Sequence, residues 1–303
     1  MSIFPTTILL ATDGSDDAKL ASDTAVSLVQ NTGSALHVVC VGAGLPLYEL
    51  PDYPVTFENT VKEQRRAAQR ILNEQVDYLE RAGVTVEEAH LTEDDRPDRS
   101  IVDLAEDLGA GAIVVGSRGI SGLNRTLIGS VSRSTIRHAH CPVLVVRGRP
   151  LASDAPILLA TDGSEDAQRA AGVALELAQR LGLELHLTYV EPMPQRRGGL
   201  TRFSVDLPPE VVASFEKEAR ARLEQEVRRI EEGGARVAGA HPMTGDPAAE
   251  TVSLAEELGA GLLVVGSRGL GGIKRALMGS VSEAVVAHAH CPVMVVRDGA
   301  VRG

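Results

Sequence analysis

A chain of 303 residues is natural for two domains of about 150, each large enough to bury its own core. Its net charge of −11 argues against a general affinity for nucleic acid or anionic membrane, and 3% aromatics with no Trp leave Val, Leu, Ile and Ala to fill the interior. Three cysteines (Cys40, Cys141, Cys291) cannot pair completely, no apolar run nears a membrane span, and no signal-like start is visible, so the expectation is a cytoplasmic protein in a reducing compartment.

Near the start of the chain stands Ile8-Leu-Leu-Ala-Thr-Asp-Gly-Ser15, and the same eight residues recur as Ile157 to Ser164. The chain is therefore two copies of one unit, with boundaries placed at 1–148 and 156–303 and a linker at 149–155. Each copy begins with a buried strand, a tight turn and an N-cap, followed by a helix over about Asp16–Gln30 and Glu165–Arg180. Leu36–Val41 and Leu185–Val190 read as second strands, near-continuously apolar as in a sheet covered on both faces. Two Pro- and Gly-containing segments, Gly42–Glu58 and Glu191–Leu207, read as irregular loops. Helices over about Asn59–Arg81 and Pro209–Glu232 end at glycine. Third strands follow at about Val84–Leu91 and Ala235–Ala240, then helices at Ser100–Leu108 and Thr251–Leu258. A fourth strand, a helix reaching His138 or His288, and a last strand at Pro142–Val146 or Pro292–Val296 complete each copy. This alternation predicts two tandem α/β domains, each a doubly wound five-stranded parallel sheet of Rossmann-like type.

After the fourth strand the first copy reads Gly116-x-x-Gly119, nine residues, then Gly129-Ser130-Val131-Ser132. The second reads Gly266-x-x-Gly269, nine residues, then Gly279-Ser280-Val281-Ser282. Glycines at such points are expected to take positive φ and to let a phosphate approach backbone amides at a helix start, where the serines offer hydroxyls. A glycine turn without a ligand is the plainer alternative. Asp13 and Asp162 sit where a first strand ends, placed to accept from a ribose hydroxyl, to hold a phosphate-bound metal, or simply to shape the Asp-Gly-Ser turn. Arg118 and Arg268 could add charge for a triphosphate. His138-Ala-His-Cys141 and His288-Ala-His-Cys291 have poor metal-ligand spacing, because residues two apart at a helix end face different ways. No nucleophile elbow, Walker lysine or paired-carboxylate pattern is present, which favours binding over turnover.

Ala-Thr-Asp-Gly-Ser, Gly-Ser-Arg-Gly, the nine-residue spacing to Gly-Ser-Val-Ser and the closing Cys-Pro-Val-x-Val-Val together resemble the universal stress protein family. The resemblance covers nearly the whole chain, twice, and is closest to the family's ATP-binding subgroup, whose fold is adenine-nucleotide alpha hydrolase-like. It implies ATP, with Mg held through Asp13 and Asp162 rather than by protein ligands alone. It also implies adenine contacts from the backbone near Ala11 and Val38, and near Ala160 and Leu187, with the glycines, Ser130 and Ser280 at the phosphates. A stress-response or signalling role through nucleotide occupancy follows, against two alternatives: a slow metal-dependent ATPase or nucleotidyl transferase, and an interaction module that binds no nucleotide. The family habit of pairing through last strands implies an internal pseudo-dimer of the halves, with a homodimer of chains and an unidentified protein partner left open. One departure separates the halves: Gly245-Asp-Pro247 in the second stands against Asp95-Arg-Pro97 in the first, after Glu93 and Asp94. If that turn faces the ligand, the first site binds ATP more weakly.

Overall fold

The computed structural model describes residues 6–43, 54–94, 96–119, 128–198, 201–204, 207–234, 236–269 and 278–297. The chain divides into two compact units, the break falling between Leu151 and Ala152. The first contains β1 (Thr7–Thr12), α1 (Asp16–Thr32), β2 (Ala35–Ala43), α2 (Pro54–Arg81), β3 (Val86–Asp94), α3 (Pro97–Asp107), β4 (Ala112–Gly116), α4 (Ser130–His138) and β5 (Val143–Val146). The second contains β6 (Ile157–Ala160), α5 (Glu165–Leu181), β7 (Leu185–Pro192), β8 (Gln195–Gly198), β9 (Thr201–Ser204), α6 (Pro209–Glu232), β10 (Gly239–Gly245), α7 (Pro247–Glu257), β11 (Leu262–Gly266), α8 (Ser280–His288) and β12 (Val293–Val296).

Within the first unit the strands pair in parallel in the order β3-β2-β1-β4-β5. Within the second the order is β10-β7-β6-β11-β12, also parallel. Winding runs outward from β1 through β2 to β3 and then restarts on the other side at β4. The switch point lies between β1 and β4, and between β6 and β11, where an open α/β sheet leaves a crevice beyond the strand ends. Ile8, Leu9 and Leu10 are wholly buried, as are Ile157, Leu158 and Leu159, because helices cover both faces of these strands. The helices that follow start and stop as their sequences dictate. Ser15 and Ser164 accept from the amides of Ala18 and Ala167, while Gly33 and Gly182 close the other ends in left-handed conformations at φ 70 and φ 67.

Several boundaries differ from the sequence reading. β3 runs from Val86 to Asp94 and β10 from Gly239 to Gly245, both later than expected, since these edge strands carry polar residues such as Glu87, Glu88 and Glu93 rather than an apolar run. α3 and α7 begin earlier, at Pro97 and Pro247, where proline occupies the first turn and its missing amide costs nothing. β2 reaches Ala43 and α2 begins at Pro54, so both ends of the expected first loop are regular, and residues 44–53 lie outside the described residues. The second expected loop contains the antiparallel pair β8–β9.

At the outer edge of each sheet two imidazoles stack. His37 and His90 have ring centroids 5.4 Å apart, and His186 and His241 5.3 Å. Burial holds His90 below the ordinary imidazole range, with His37 adding to the lowering and Glu88 opposing it. His241 is lowered by burial and by His186, against Glu257. The unfolded chain takes up these protons near pH 6.5 and the folded chain at lower pH, so the associated stability is complete above about 6.5 and is lost as pH falls through the window beneath it. The urea midpoint is therefore expected to drop between about pH 7 and about pH 5.5. Replacing His90 and His241 together by Gln should flatten that drop; an unchanged slope would remove these groups as its cause.

Candidate functional site

At the end of β1 the backbone turns sharply. Asp13 Oδ1 accepts from the amide of Ser15 at 3.0 Å, and Gly14 takes φ 78. The Ser15 hydroxyl accepts from Ala18 at 3.2 Å and donates to the carbonyl of Arg118 at 3.2 Å, tying the start of α1 to the segment after β4. Asp162, Gly163 and Ser164 repeat this arrangement, with Ser164 donating to the Arg268 carbonyl at 3.1 Å.

Four of the six motif glycines, Gly116, Gly119, Gly266 and Gly269, are needed for space, and none of the six for conformation. None of them has positive φ, and Gly129 and Gly279 lie at φ −60 and φ −65, which corrects the expectation of left-handed backbone. A Cβ on Gly116 would stand 2.7 Å from the carbonyl carbon of Asp17, and one on Gly266 2.8 Å from the amide of Ala167, so β4 and β11 abut helix backbone directly. A Cβ on Gly119 would land on Asp13 Oδ2, and one on Gly269 on Asp162 Oδ2. Gly129 and Gly279 donate to the carbonyls of Ser117 and Ser267 at 2.8 Å and supply no side-chain cap to α4 and α8. The first-turn amides of these helices, from Ser130 and Ser280 onward, thus lack a capping side chain and keep the positive end of the helix open.

The serines and arginines divide differently from the expectation. Ser130 and Ser280 are exposed at the first helical position. Ser132 and Ser282 are buried, and their hydroxyls donate to the carbonyls of Gly116 at 2.7 Å and Gly266 at 2.6 Å, so they fasten the helix to the strand end instead of offering a hydroxyl to phosphate. Arg118 forks onto Asp17 through Nε at 3.1 Å and Nη2 at 3.3 Å, and Arg268 reaches Asp166 at 3.3 Å. Most of their charge is balanced there. Asp17 also accepts from Ser117 at 2.5 Å, and Asp166 from Ser267 at 2.8 Å. The two aspartates are buried anchors of the loop that the sequence reading passed over, because an acidic residue in a first helical turn reads as a dipole partner. Arg147 and Arg297 approach the same clusters: burial lowers each first, the neighbouring Arg118 or Arg268 lowers it further, and Asp17 or Asp166 opposes.

These elements enclose a cavity of about 350 Å³ in the first unit, lined by Ala11, Asp13, Gly116, Arg118, Gly119, Gly129, Ser130, Val131 and Ser132. The second unit holds one of about 420 Å³, lined by Ala160, Asp162, Gly266, Arg268, Gly269, Gly279, Ser280, Val281 and Ser282. Both volumes suit a small-molecule ligand. Val38 and Leu187 are wholly buried and line neither cavity; Val39 and Val41, and Thr188, Tyr189 and Val190, do so instead. Strand residues alternate between faces, so the side chains of Val38 and Leu187 point to the other layer, and what was expected of these two positions is backbone contact. The far wall comes from α3 and α7: Pro97 and Pro247, the last residues of the turns singled out in the sequence, and Ile101 and Thr251, which the sequence reading did not include.

The acidic turn after β3 is engaged elsewhere. Glu93 pairs with Arg65 at 3.1 Å, and Asp94 accepts from the Arg96 amide at 2.9 Å and from Ser100 at 2.8 Å. Neither lines the cavity, Asp95 lies outside the described residues, and a Cβ on Gly245 would meet the Glu250 carboxylate at 2.8 Å rather than a ligand. His138 and His140 also part company: His138 contacts Ser134 at 2.9 Å, and His140 lies 3.6 Å from Glu106. Burial pushes the Cys141 thiol up to about 12, and burial with the charge of Asp13 pushes Cys40 up to about 11, so both thiols stay protonated near neutrality.

Among the described residues no helix is long and apolar enough to cross a membrane. The sequence matches the universal stress protein family over residues 5–147 and again over 155–297. A universal stress protein of Mycobacterium tuberculosis is 33% identical over 207 residues, 67% of this chain and 66% of its own length. One from Methanocaldococcus jannaschii is 35% identical over 141 residues, 46% of this chain and 81% of its own. Among solved structures, a universal stress protein from Archaeoglobus fulgidus superposes with a TM-score of 0.71 at 25% identity, covering 97% of this chain and 99% of its own. Another universal stress protein, solved in complex with cAMP, is 27% identical and covers 47% of this chain and 97% of its own, with a TM-score of 0.37. With the doubly wound sheet present in both units and the family matched across each, the chain belongs to the universal stress protein family and carries its domain twice.

Proposed function

We propose that each unit binds an adenine nucleotide, ATP with magnesium in the first instance, and that the protein acts through occupancy rather than turnover. The observation that carries this reading is the uncapped start of α4 and α8 opening into a cavity whose other side bears Asp13 or Asp162. Such a helix end favours phosphate, while a carboxylate across the cavity suits a ribose hydroxyl or a phosphate-bound cation. Gly119 and Gly269 fit the same occupant, since any Cβ there would enter the space beside that carboxylate. Asp13 and Asp162 would hold the magnesium through the nucleotide, which neutralises phosphate charge when bound.

Among the described residues lining the two cavities none is a lysine or a histidine, and Asp13 and Asp162 each accept from a backbone amide, which supports occupancy over turnover. Mass spectrometry of the natively purified chain should find adenine nucleotide. Calorimetric titration should find two ATP sites, reduced to one in Gly129→Val and in Gly279→Val. The second unit, whose turn reads Gly245-Asp-Pro247 where the first reads Asp95-Arg-Pro97, is expected to bind more tightly, by about five-fold or 1 kcal/mol, on the ground that Pro97 and Pro247 bring these turns to the two cavities. Absence of any adenine-nucleotide binding would leave the interaction-module reading; turnover abolished by Asp162→Ala would favour the enzyme.

A further inference from the structure

The two stacked imidazole pairs are not equivalent. In the first unit His37 Nδ1 lies 3.1 Å from His90 Nε2, and the same His90 nitrogen lies 3.9 Å from Glu88 Oε2. Three ligand atoms from β2 and β3 therefore converge, all within 4.8 Å of one another. In the second unit His186 Nδ1 lies 3.0 Å from His241 Nε2, but Glu184 approaches the opposite nitrogen of His186, at 3.6 Å. The strand register explains the difference. Glu88 is paired with His37, whereas Gly239 is paired with His186, and a Cβ on Gly239 would stand 2.6 Å from His186 Nδ1. The second unit has the two rings and no room for the carboxylate.

We propose that His37, His90 and Glu88 form a binding site for one divalent transition-metal ion of the zinc class, distinct from the nucleotide cavity. Zinc bonds of 2.0–2.1 Å at near-tetrahedral angles hold two nitrogens about 3.3 Å apart, close to the spacing already present. Glu88 is largely exposed and free to swing, and its carboxylate has about 0.6 Å to close on His90 and at most about 1.5 Å on His37 to complete a similar span to oxygen. Two imidazoles and one carboxylate suit zinc, copper or nickel over magnesium or calcium. Both ring nitrogens must face the ion unprotonated, and burial favours neutral imidazole at His90. The remaining coordination position opens to solvent and takes water. None of the three residues lines the first cavity, although His37 lies on the same face of β2 as Val39 and Val41, which do.

The test is zinc titration of the chelator-treated full chain against a chromophoric competitor, with circular dichroism to confirm folding. One zinc per chain is expected. Glu88→Gln, an exposed change that spares the core, and His90→Ala should each weaken binding at least about ten-fold, while His241→Ala should leave both affinity and stoichiometry unchanged. No zinc bound, binding that survives His90→Ala and Glu88→Gln, or two equal sites per chain would each overturn the proposal. ATP affinity of Glu88→Gln should equal that of the parent, so failure here is separable from failure of the nucleotide reading.

Discussion

Gly119→Val combined with Gly269→Val is expected to abolish the thermal stabilisation of the chain by ATP while leaving its far-ultraviolet circular dichroism intact. The new Cβ atoms fall on the carboxylates of Asp13 and Asp162, which are side chains at a cavity rim and can rotate aside, so the sheet survives. The cavity does not: either the branched side chain occupies it or the displaced carboxylate does. A ligand bound only by the folded state contributes RT ln(1 + [L]/Kd), about 2.7 kcal/mol at one hundred times Kd. For a domain of about 150 residues that corresponds to a shift on the order of 5–10 °C. Differential scanning calorimetry with and without ATP reads it directly. A folded double variant that kept the whole shift would end the assignment of these cavities to ATP.

The second large effect concerns stability alone. Asp166 is 4% exposed and accepts from Ser267 at 2.8 Å, Arg169 at 2.9 Å and Arg268 at 3.3 Å. Asp166→Ala takes an acceptor from two arginines, of which Arg169 keeps Glu165 at 3.6 Å, and from a buried hydroxyl. Breaking a buried pair from one side costs about 3–5 kcal/mol, but both guanidinium groups are roughly a third exposed and water recovers part of that, so about 2–3 kcal/mol is expected. Urea unfolding should show it as an earlier transition assigned to the second unit. A loss below about 0.5 kcal/mol would mean that the cluster is merely solvated charge.

The parts of this protein that could be read from sequence are those in which one physical cause dominates. Four apolar strands per unit are visible because burial on both faces leaves mainly aliphatic residues, and Ser15 with Gly33 bracket a helix by capping alone. Edge strands β3 and β10 blur because solvent on one side admits Glu88 and His241, and β8–β9 is hidden in an arginine-rich stretch with no alternation. At the cavity, the glycine spacing was legible for a reason only half correct: room is needed at Gly116 and Gly119, not a left-handed backbone. Which strand side chains line the cavity, Val39 and Val41 in the first unit, was not legible, because strand phase is set by tertiary packing. The metal candidate stayed invisible because His37 and His90, 53 residues apart, meet only through the parallel register of β2 and β3.

The contact of Gly116 with α1 also sets where the first unit can flex. Strand end and helix backbone meet at a separation that no side chain could enter, and the Asp17–Ser117–Arg118 bonds clamp the same junction. Packed surfaces of this kind do not slide by small amounts. The β1–α1–β4 side of the cavity therefore behaves as a fixed jaw. Closure around an occupant has to come from the opposing jaw, where α3 presents Pro97 and Ile101, and a signal of occupancy would leave the unit through that helix.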